Sequence, residues 1–238
     1  MPSITLAAPA KINLALEILG RRADGYHAIE TVFQTLELCD RVTISLGDGP
    51  EPLRLTCSDP TLPAEGGNLA WKAAAAVRAR ISGFPSIAVD LVKRVPHGAG
   101  LGGGSSDAAA VLRGLARLDP RVAALDLAAI AADLGSDVPF FLVGGSAHAT
   151  GRGEELTPLP DAPMSAITVL MPAAELPTPA VYRELTDAER GPRPLVGSAR
   201  WRDRLAAGPV HSLASNRLTA PARRLCPAVA ALLDHLET

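Results

Sequence analysis

The segment PHGAGLGGGSSDAAAVL, residues 96–112, decides how this chain is read. Gly98, Gly100, Gly102, Gly103 and Gly104 fall within seven consecutive positions. A backbone without Cβ atoms reaches positive φ and brings its N–H groups close to a ligand. Ser105, Ser106 and Asp107 then open a predicted helix, SSDAAAVLRGLARL. A helix N-terminus carries unpaired N–H groups and about half a positive charge. A strand, a glycine loop and a helix start in succession make an anion site. The Ser105 and Ser106 hydroxyls can add donors there. The plain alternative is a flexible turn with Ser105 as an ordinary cap, and the density of glycine between a strand and a helix argues against it.

Three common motifs do not explain this loop. A Walker A loop needs GxxxxGK[ST], and no Gly-Lys pair is present. The dinucleotide pattern GxGxxG is met by Gly98, Gly100 and Gly103. That fold, however, wants a second strand after the helix, ending in an acidic residue. Here Asp119-Pro120 and another helical stretch follow instead. The GxSxG elbow of serine hydrolases is absent.

Outward from the loop, SIAVDLVKRV (86–95) alternates and predicts the strand that feeds it. Asn68 is a good N-cap for NLAWKAAAAVRARI, which Gly83 and Pro85 end. A third helix is predicted over DLAAIAADL (126–134), closed by Gly135. FFLVGG and SAHATG predict a hairpin around Gly144-Gly145. Upstream, residues 3–19 predict strands bent at Pro9, since proline cannot donate to a ladder. GRRADGYH (20–27) is a loop. IETVFQTLEL (29–38) and RVTISL (41–46) predict strands joined tightly at Cys39-Asp40, and LRLTCS (53–58) predicts another. PLPDAP (158–163) marks a boundary, dividing residues 1–160 from 161–238. AITVLMP (166–172) predicts a strand opening the second part, with helix thereafter to CPAVAALLDHLE (226–237).

The composition narrows the function classes. The chain has 238 residues, 47% hydrophobic but only 3% aromatic, so alanine and aliphatic residues must build a closely packed core. The net charge of −2 speaks against a nucleic-acid partner. Cys39, Cys57 and Cys226 are odd in number and far apart, which fits a reduced, cytoplasmic protein. No HExxH pair occurs, so a zinc hydrolase is unsupported and no metal-ligating residues are named. Lys11 and Asn13 interrupt the apolar N-terminus, which reads as neither signal peptide nor membrane span.

Taken together, PHGAGLGGGSSDAA, APAKINLALEI (8–18), DGYHAIETVFQTL (24–36) and LGSDVPFFLVGGSAHATGRGEEL (134–156) resemble the GHMP kinases. The version of the loop with GLGGGSSDAA is similar to the branch acting on a cytidine-diphosphate-linked methylerythritol. The GYHAIETVFQTL block favours that branch over kinases of mevalonate, homoserine or sugars. The resemblance implies a two-domain α/β (α+β) fold with a mixed sheet in an N-terminal ATP-binding domain and a ferredoxin-like C-terminal domain. It implies ATP and Mg²⁺ as cofactors, a small-molecule acceptor, and a monomer or homodimer.

The resemblance also implies roles. Pro96, His97, Gly98, Ala99, Gly100, Leu101, Gly102, Gly103, Gly104, Ser105 and Ser106 would wrap the ATP phosphates, with Asn68 and Lys93 near the adenine. Lys11 and Asp137 would be catalytic, the lysine neutralising charge and the aspartate acting as base. Asn13, Tyr26, His27, Thr178 and Tyr182 would hold the acceptor, with Tyr26 and Tyr182 stacking on its cytosine. From the residues alone, Lys11 reads as a snorkelling edge lysine and Asp137 as a turn or capping carboxylate. Tyr26-His27 reads as an ordinary loop pair, and Tyr182 as a helix-face tyrosine. The pattern departs from the family twice. A third Gly-rich motif near the C-terminus is missing before the chain stops at HLET, from which a shortened second domain with an unpaired edge is expected. Arg217 stands where the family has Asp in an Asn-Asp-Leu run. A nucleotide-binding protein without activity and a dinucleotide oxidoreductase remain the alternatives from other classes.

Overall fold

The structure, a computed structural model, describes residues 1–162, 166–174, 176–191, 196–207 and 214–236. They form two compact units, neither of which is a continuous stretch of chain. The first comprises Met1–Lys11, Thr35–His97 and Leu101–Gly144, and the second Ile12–Gln34, Gly98–Gly100 and the described residues from Gly145 onward. Two long strands, β1 (Ser3–Arg21) and β2 (His27–Gly47), give residues to both.

The first unit is a mixed sheet under helices. β3 (Leu53–Cys57) runs parallel to β4 (Ser86–Val92), from Leu53 opposite Ile87 to Cys57 opposite Leu91. β4 runs antiparallel to the second half of β2, from Arg41 opposite Val92 to Gly47 opposite Ser86. The alternation read from the sequence is real: Ile87, Val89 and Leu91 of β4 and Val42, Ile44 and Leu46 of β2 are all buried. α1 (Leu69–Arg80) begins at its Asn68 cap and packs on α2 (Gly103–Leu118). Small residues make that packing close. Ala108, Ala109 and Ala110 of α2 and Ala70, Ala73 and Ala74 of α1 have no exposed surface. At Gly114 of α2 an added Cβ would overlap the Cδ1 atom of Ile44. A short α3 (Pro120–Ala123), then α4 (Leu127–Leu134) and α5 (Val138–Val143), complete the helical layer.

In the second unit the first half of β2 pairs antiparallel with β5 (Ser146–Thr150), and β5 with β6 (Glu155–Leu159). The second half of β1 pairs parallel with β7 (Ser215–Asn216). Leu14, Val32, Leu159, Trp201 and Leu205 form one core cluster, and Leu16, Ile18, Ile29 and Leu185 another. Short helices α6 (Thr178–Arg183), α7 (Ser198–Ala207), α8 (Thr219–Leu225) and α9 (Pro227–Leu236) supply most of the remaining regular structure, as expected of this stretch.

Several expectations are corrected. β1 does not break at Pro9, because proline's fixed φ lies in the extended region and only a required N–H would exclude it. β2 does not turn at Cys39-Asp40. Asp40 is an interior strand residue, fully buried, whose carboxylate is taken up by donors from the residues that follow β4. α2 starts at Gly103, with Gly102 as a left-handed cap at φ 72°, so Ser105 and Ser106 lie inside its first turn. Gly135 ends α4 with extended backbone, not in the left-handed region. FFLV belongs to a helix: Pro139 suits a first turn, and Phe140 and Phe141 are both buried, which alternation would not allow. Residues 166–172 form no strand, although they are rich in apolar and β-branched types. Ile167, Val169, Leu170 and Met171 are exposed, and a strand exists only where an edge pairs with it. The expected boundary at PLPDAP extends to Pro163, which lies outside the described residues, as does Glu237 of the last predicted helix.

Candidate functional site

In the first unit, Lys11 sits near the end of that unit's share of β1 and is 7% exposed. Its backbone N–H donates to Leu101 O at 2.9 Å, tying the strand to the glycine loop. Its Nζ stands 3.5 Å from Asp137 Oδ2. A lysine this enclosed is no snorkelling edge residue. Asp137 precedes α5 but makes no capping hydrogen bond, and its side chain is 31% exposed. Its carboxylate is therefore not spent on the helix and remains next to a cation, accessible to solvent.

The loop delivers its glycines in left-handed conformation, at φ 72°, 71° and 72° for Gly98, Gly100 and Gly102. At Gly102 a Cβ would come within 2.8 Å of Phe141 and 3.1 Å of Lys11 Cγ, so the backbone there passes directly against both. α2 has sixteen residues, and its first free N–H groups follow Gly102. Ser106 is fully buried, and its hydroxyl has no hydrogen-bond partner in the protein. Such an orphan donor beside a helix start is the kind of group that phosphate oxygens satisfy.

Beneath this helix start lies an ionic cluster that the sequence reading missed. Lys93 Nζ donates to Asp40 Oδ2 and, at 2.7 Å, to Asp107 Oδ2. Burial works against the charge on Lys93, but Asp107 and Asp40 outweigh it and hold its pKa above the usual lysine value. Burial pushes the Asp107 carboxyl up to about 7, with the Asp40 charge adding and Lys93 opposing. Both polar atoms of Asn68 are also engaged, Oδ1 accepting from Ala70 N at 2.9 Å and Nδ2 donating to Pro63 O at 3.0 Å. Asn68 and Lys93 thus stand in the same unit as the helix start but are bonded within the protein.

In the second unit, Asn13 Nδ2 donates to Thr31 Oγ1 at 2.7 Å, and Thr31 in turn donates to Ala15 O. The turn after β1 is built by Asp24, which accepts from Arg22 Nε and from Tyr26 N. It leaves Tyr26 58% exposed, with the Arg152 guanidinium 5.0 Å from its ring centre. The His27 ring lies 5.0 Å from that of Tyr182, tilted by 31°. Burial, then the charges of Arg190 and Arg21, hold the His27 pKa below its ordinary value, so the imidazole is neutral at pH 7. Its Nε2 is buried without a partner. Thr178 is exposed at the first turn of α6, on the same short helix as Tyr182. The aromatic face, the neutral imidazole and the exposed tyrosine are the groups that would stack on and hydrogen-bond a pyrimidine base. Arg152 and Arg190 were not singled out from sequence, since only the fold brings them to this cluster. Arg217 donates to Glu17 Oε2 at 2.8 Å, which answers its reversed charge locally.

Known proteins share this chain's sequence and fold. Residues 68–145 match the GHMP kinases N terminal domain. The chain is 43% identical over 241 residues to the 4-diphosphocytidyl-2-C-methyl-D-erythritol kinase of Moorella thermoacetica, covering 98% of this chain and 82% of that one. It is 44% identical over 190 residues to the enzyme of that name from Geobacter sulfurreducens, covering 78% of this chain and 66%, just under two thirds, of the relative. A crystal structure of 4-(cytidine 5'-diphospho)-2C-methyl-D-erythritol kinase superposes with a TM-score of 0.73 at 39% identity, over 94% of this chain and 79% of that one. The homoserine kinase of Cytophaga hutchinsonii, at 17% identity and a TM-score of 0.61, over 97% of this chain and 77% of that one, shares the fold. With its mixed α/β sheet, its glycine loop and these relatives, the chain belongs to the 4-diphosphocytidyl-2-C-methyl-D-erythritol kinases of the GHMP kinase family.

Proposed function

We propose that this protein transfers the γ-phosphoryl group of ATP to the 2-hydroxyl of 4-diphosphocytidyl-2-C-methyl-D-erythritol, a step of the non-mevalonate route to isoprenoid precursors. The observation that carries the reading is the Lys11–Asp137 pair, at 3.5 Å, in the same unit as the start of α2 and tied to its loop through Leu101. Asp137 orients the acceptor hydroxyl and takes its proton as the new O–P bond forms. Lys11 neutralises charge on the attacking oxygen and the transferred group. The loop from Pro96 to Ser106 and the α2 N-terminus hold the phosphates while the bond to ADP breaks. Little else is asked of a phosphoryl-transfer site than positioning and charge neutralisation. Magnesium, when bound, supplies further neutralisation. The hydroxyls of Ser105 and Ser106 are oxygen donors of the type it takes, alongside the phosphates themselves.

Asn13, Tyr26, His27, Thr178 and Tyr182 serve the acceptor, the rings of Tyr26 and Tyr182 its cytosine. Asn68 and Lys93 belong to the adenine side. The polypeptide is read as an ATP-binding domain over 1–160 and a ferredoxin-like domain over 161–238, cytoplasmic, and a monomer or homodimer. None of its described helices is long and apolar enough to cross a membrane.

Incubation with Mg²⁺-ATP and equal amounts of the diphosphocytidyl acceptor, mevalonate and homoserine, followed by phosphorus NMR, tests the assignment. A new phosphomonoester on the diphosphocytidyl compound alone is expected. Preferential phosphorylation of either other alcohol would reject it.

A further inference from the structure

We propose that Asp40 is a positioning residue for the nucleotide: its carboxylate fixes the junction between β4 and the glycine loop, and through Lys93 the start of α2. The proposal rests on the reading of that loop as the ATP phosphate site. Asp40 lies in the interior of β2 with no exposed surface. Its Oδ1 accepts the backbone N–H groups of Arg94 and, at 2.8 Å, of Val95. Its Oδ2 accepts from the Lys93 ammonium. Three successive residues just after β4 are thus held by one side chain, immediately before Pro96 opens the loop.

The same residues reach the far end of the loop. Lys93 also donates to Asp107 in α2 at 2.7 Å. A Cβ added to Gly103, the first residue of α2, would meet Val95 Cγ1 at 3.0 Å and Lys93 Nζ at 3.3 Å. The Asp40–Lys93–Asp107 chain therefore joins the residues entering the loop to those leaving it, all within the first unit. A segment so rich in glycine loses much conformational entropy when it closes on a ligand. Pinning both of its ends lowers that loss before the nucleotide arrives.

The choice of ions over apolar side chains points the same way. A buried ionic cluster is weak as a source of stability, and well-packed apolar residues do as well or better. What a carboxylate adds is direction, here toward two backbone amides and one ammonium at set positions. Asp40 touches neither substrate nor the reacting atoms in this account; it acts through the backbone and through Lys93.

Asp40→Asn keeps the size but offers a donor where Lys93 or an amide needs an acceptor. In calorimetric titration of the full chain with Mg²⁺-ATP, its Kd is expected to rise roughly tenfold or more. The KM for the diphosphocytidyl acceptor should stay within about threefold, since the displacement is confined to the loop junction. Amide hydrogen exchange across 96–104 should quicken in the same variant. If Asp40→Asn does not fold, Asp40→Ser, whose hydroxyl still accepts one amide hydrogen, is expected to give the same loss. An unchanged ATP Kd in a folded variant overturns the proposal. So does an equal rise in both KM values, which marks a merely structural residue. A wild-type chain that binds no ATP rejects the loop reading itself and this inference with it.

Discussion

Asp107 is 2% exposed, one of its carboxylate oxygens has no hydrogen-bond partner, and burial pushes its carboxyl up to about 7. Its folded value is thus above the unfolded 3.8. The sign follows: this group favours the native state most below the unfolded value, and that advantage is lost as pH rises through about 7. Asp107→Asn removes the dependence. The Tm difference between variant and wild type is expected to be more positive near roughly pH 8.5 than near roughly pH 5. Equal differences at both would show that Asp107 does not titrate in this window. Glu30 behaves in the opposite sense. Burial raises its pKa, but the N–H groups of Val196 and Gly197, with His148 and Trp201, outweigh burial and hold it below the usual glutamate value. At this scale the sequence was a mixed guide. Lys11 and Asp137 stood out once the flanking motifs were read together, whereas Asp40, Asp107 and Glu30 did not. A buried carboxylate is indistinguishable from a turn residue until its donors, well separated from it in the chain, are known.

Elements whose start and stop signals are local were legible. α1 begins where Asn68 said it would, and its cap accounts for a measurable share of stability. Asn68→Ala is expected to cost about 1 kcal/mol, read as a Tm lower by about 2–4 °C in a thermal melt. An unchanged Tm would mean that the cap and its bond to Pro63 are replaced by water at no cost. α4 ends at Gly135 as read, though in extended backbone, and β4 followed from alternation, though it ends at Val92 and not Val95. β1, β2 and α5 did not, for one reason. Whether a strand continues through Pro9 or Asp40, or whether FFLV coils or extends, depends on what lies beside it. Residues 166–172 make the same point in reverse, with strand-forming residues whose apolar surface is left exposed.

At the scale of the molecule, the strand, glycine loop and helix start were readable from residues 86–112, and the mixed sheet only through the family resemblance. The interleaving of the two compact units was not, because β1 and β2 each serve both and no change of composition marks where one ends. The low aromatic content did foretell how the first unit packs. Its core is made of alanine faces and aliphatic strand residues pressed close together, with Phe140 and Phe141 as its largest fillers. That rigid support is what presents the Lys11–Asp137 pair and the start of α2 in one unit.

ADP release with Mg²⁺-ATP and the diphosphocytidyl acceptor, in the intact chain and in Asp137→Asn, tests the kinase reading most directly. The account predicts acceptor-dependent turnover in the intact chain that falls by about 100-fold or more in the variant, with ATP Kd unchanged. Turnover that survives Asp137→Asn, or an intact chain that binds ATP and releases no ADP, would contradict it.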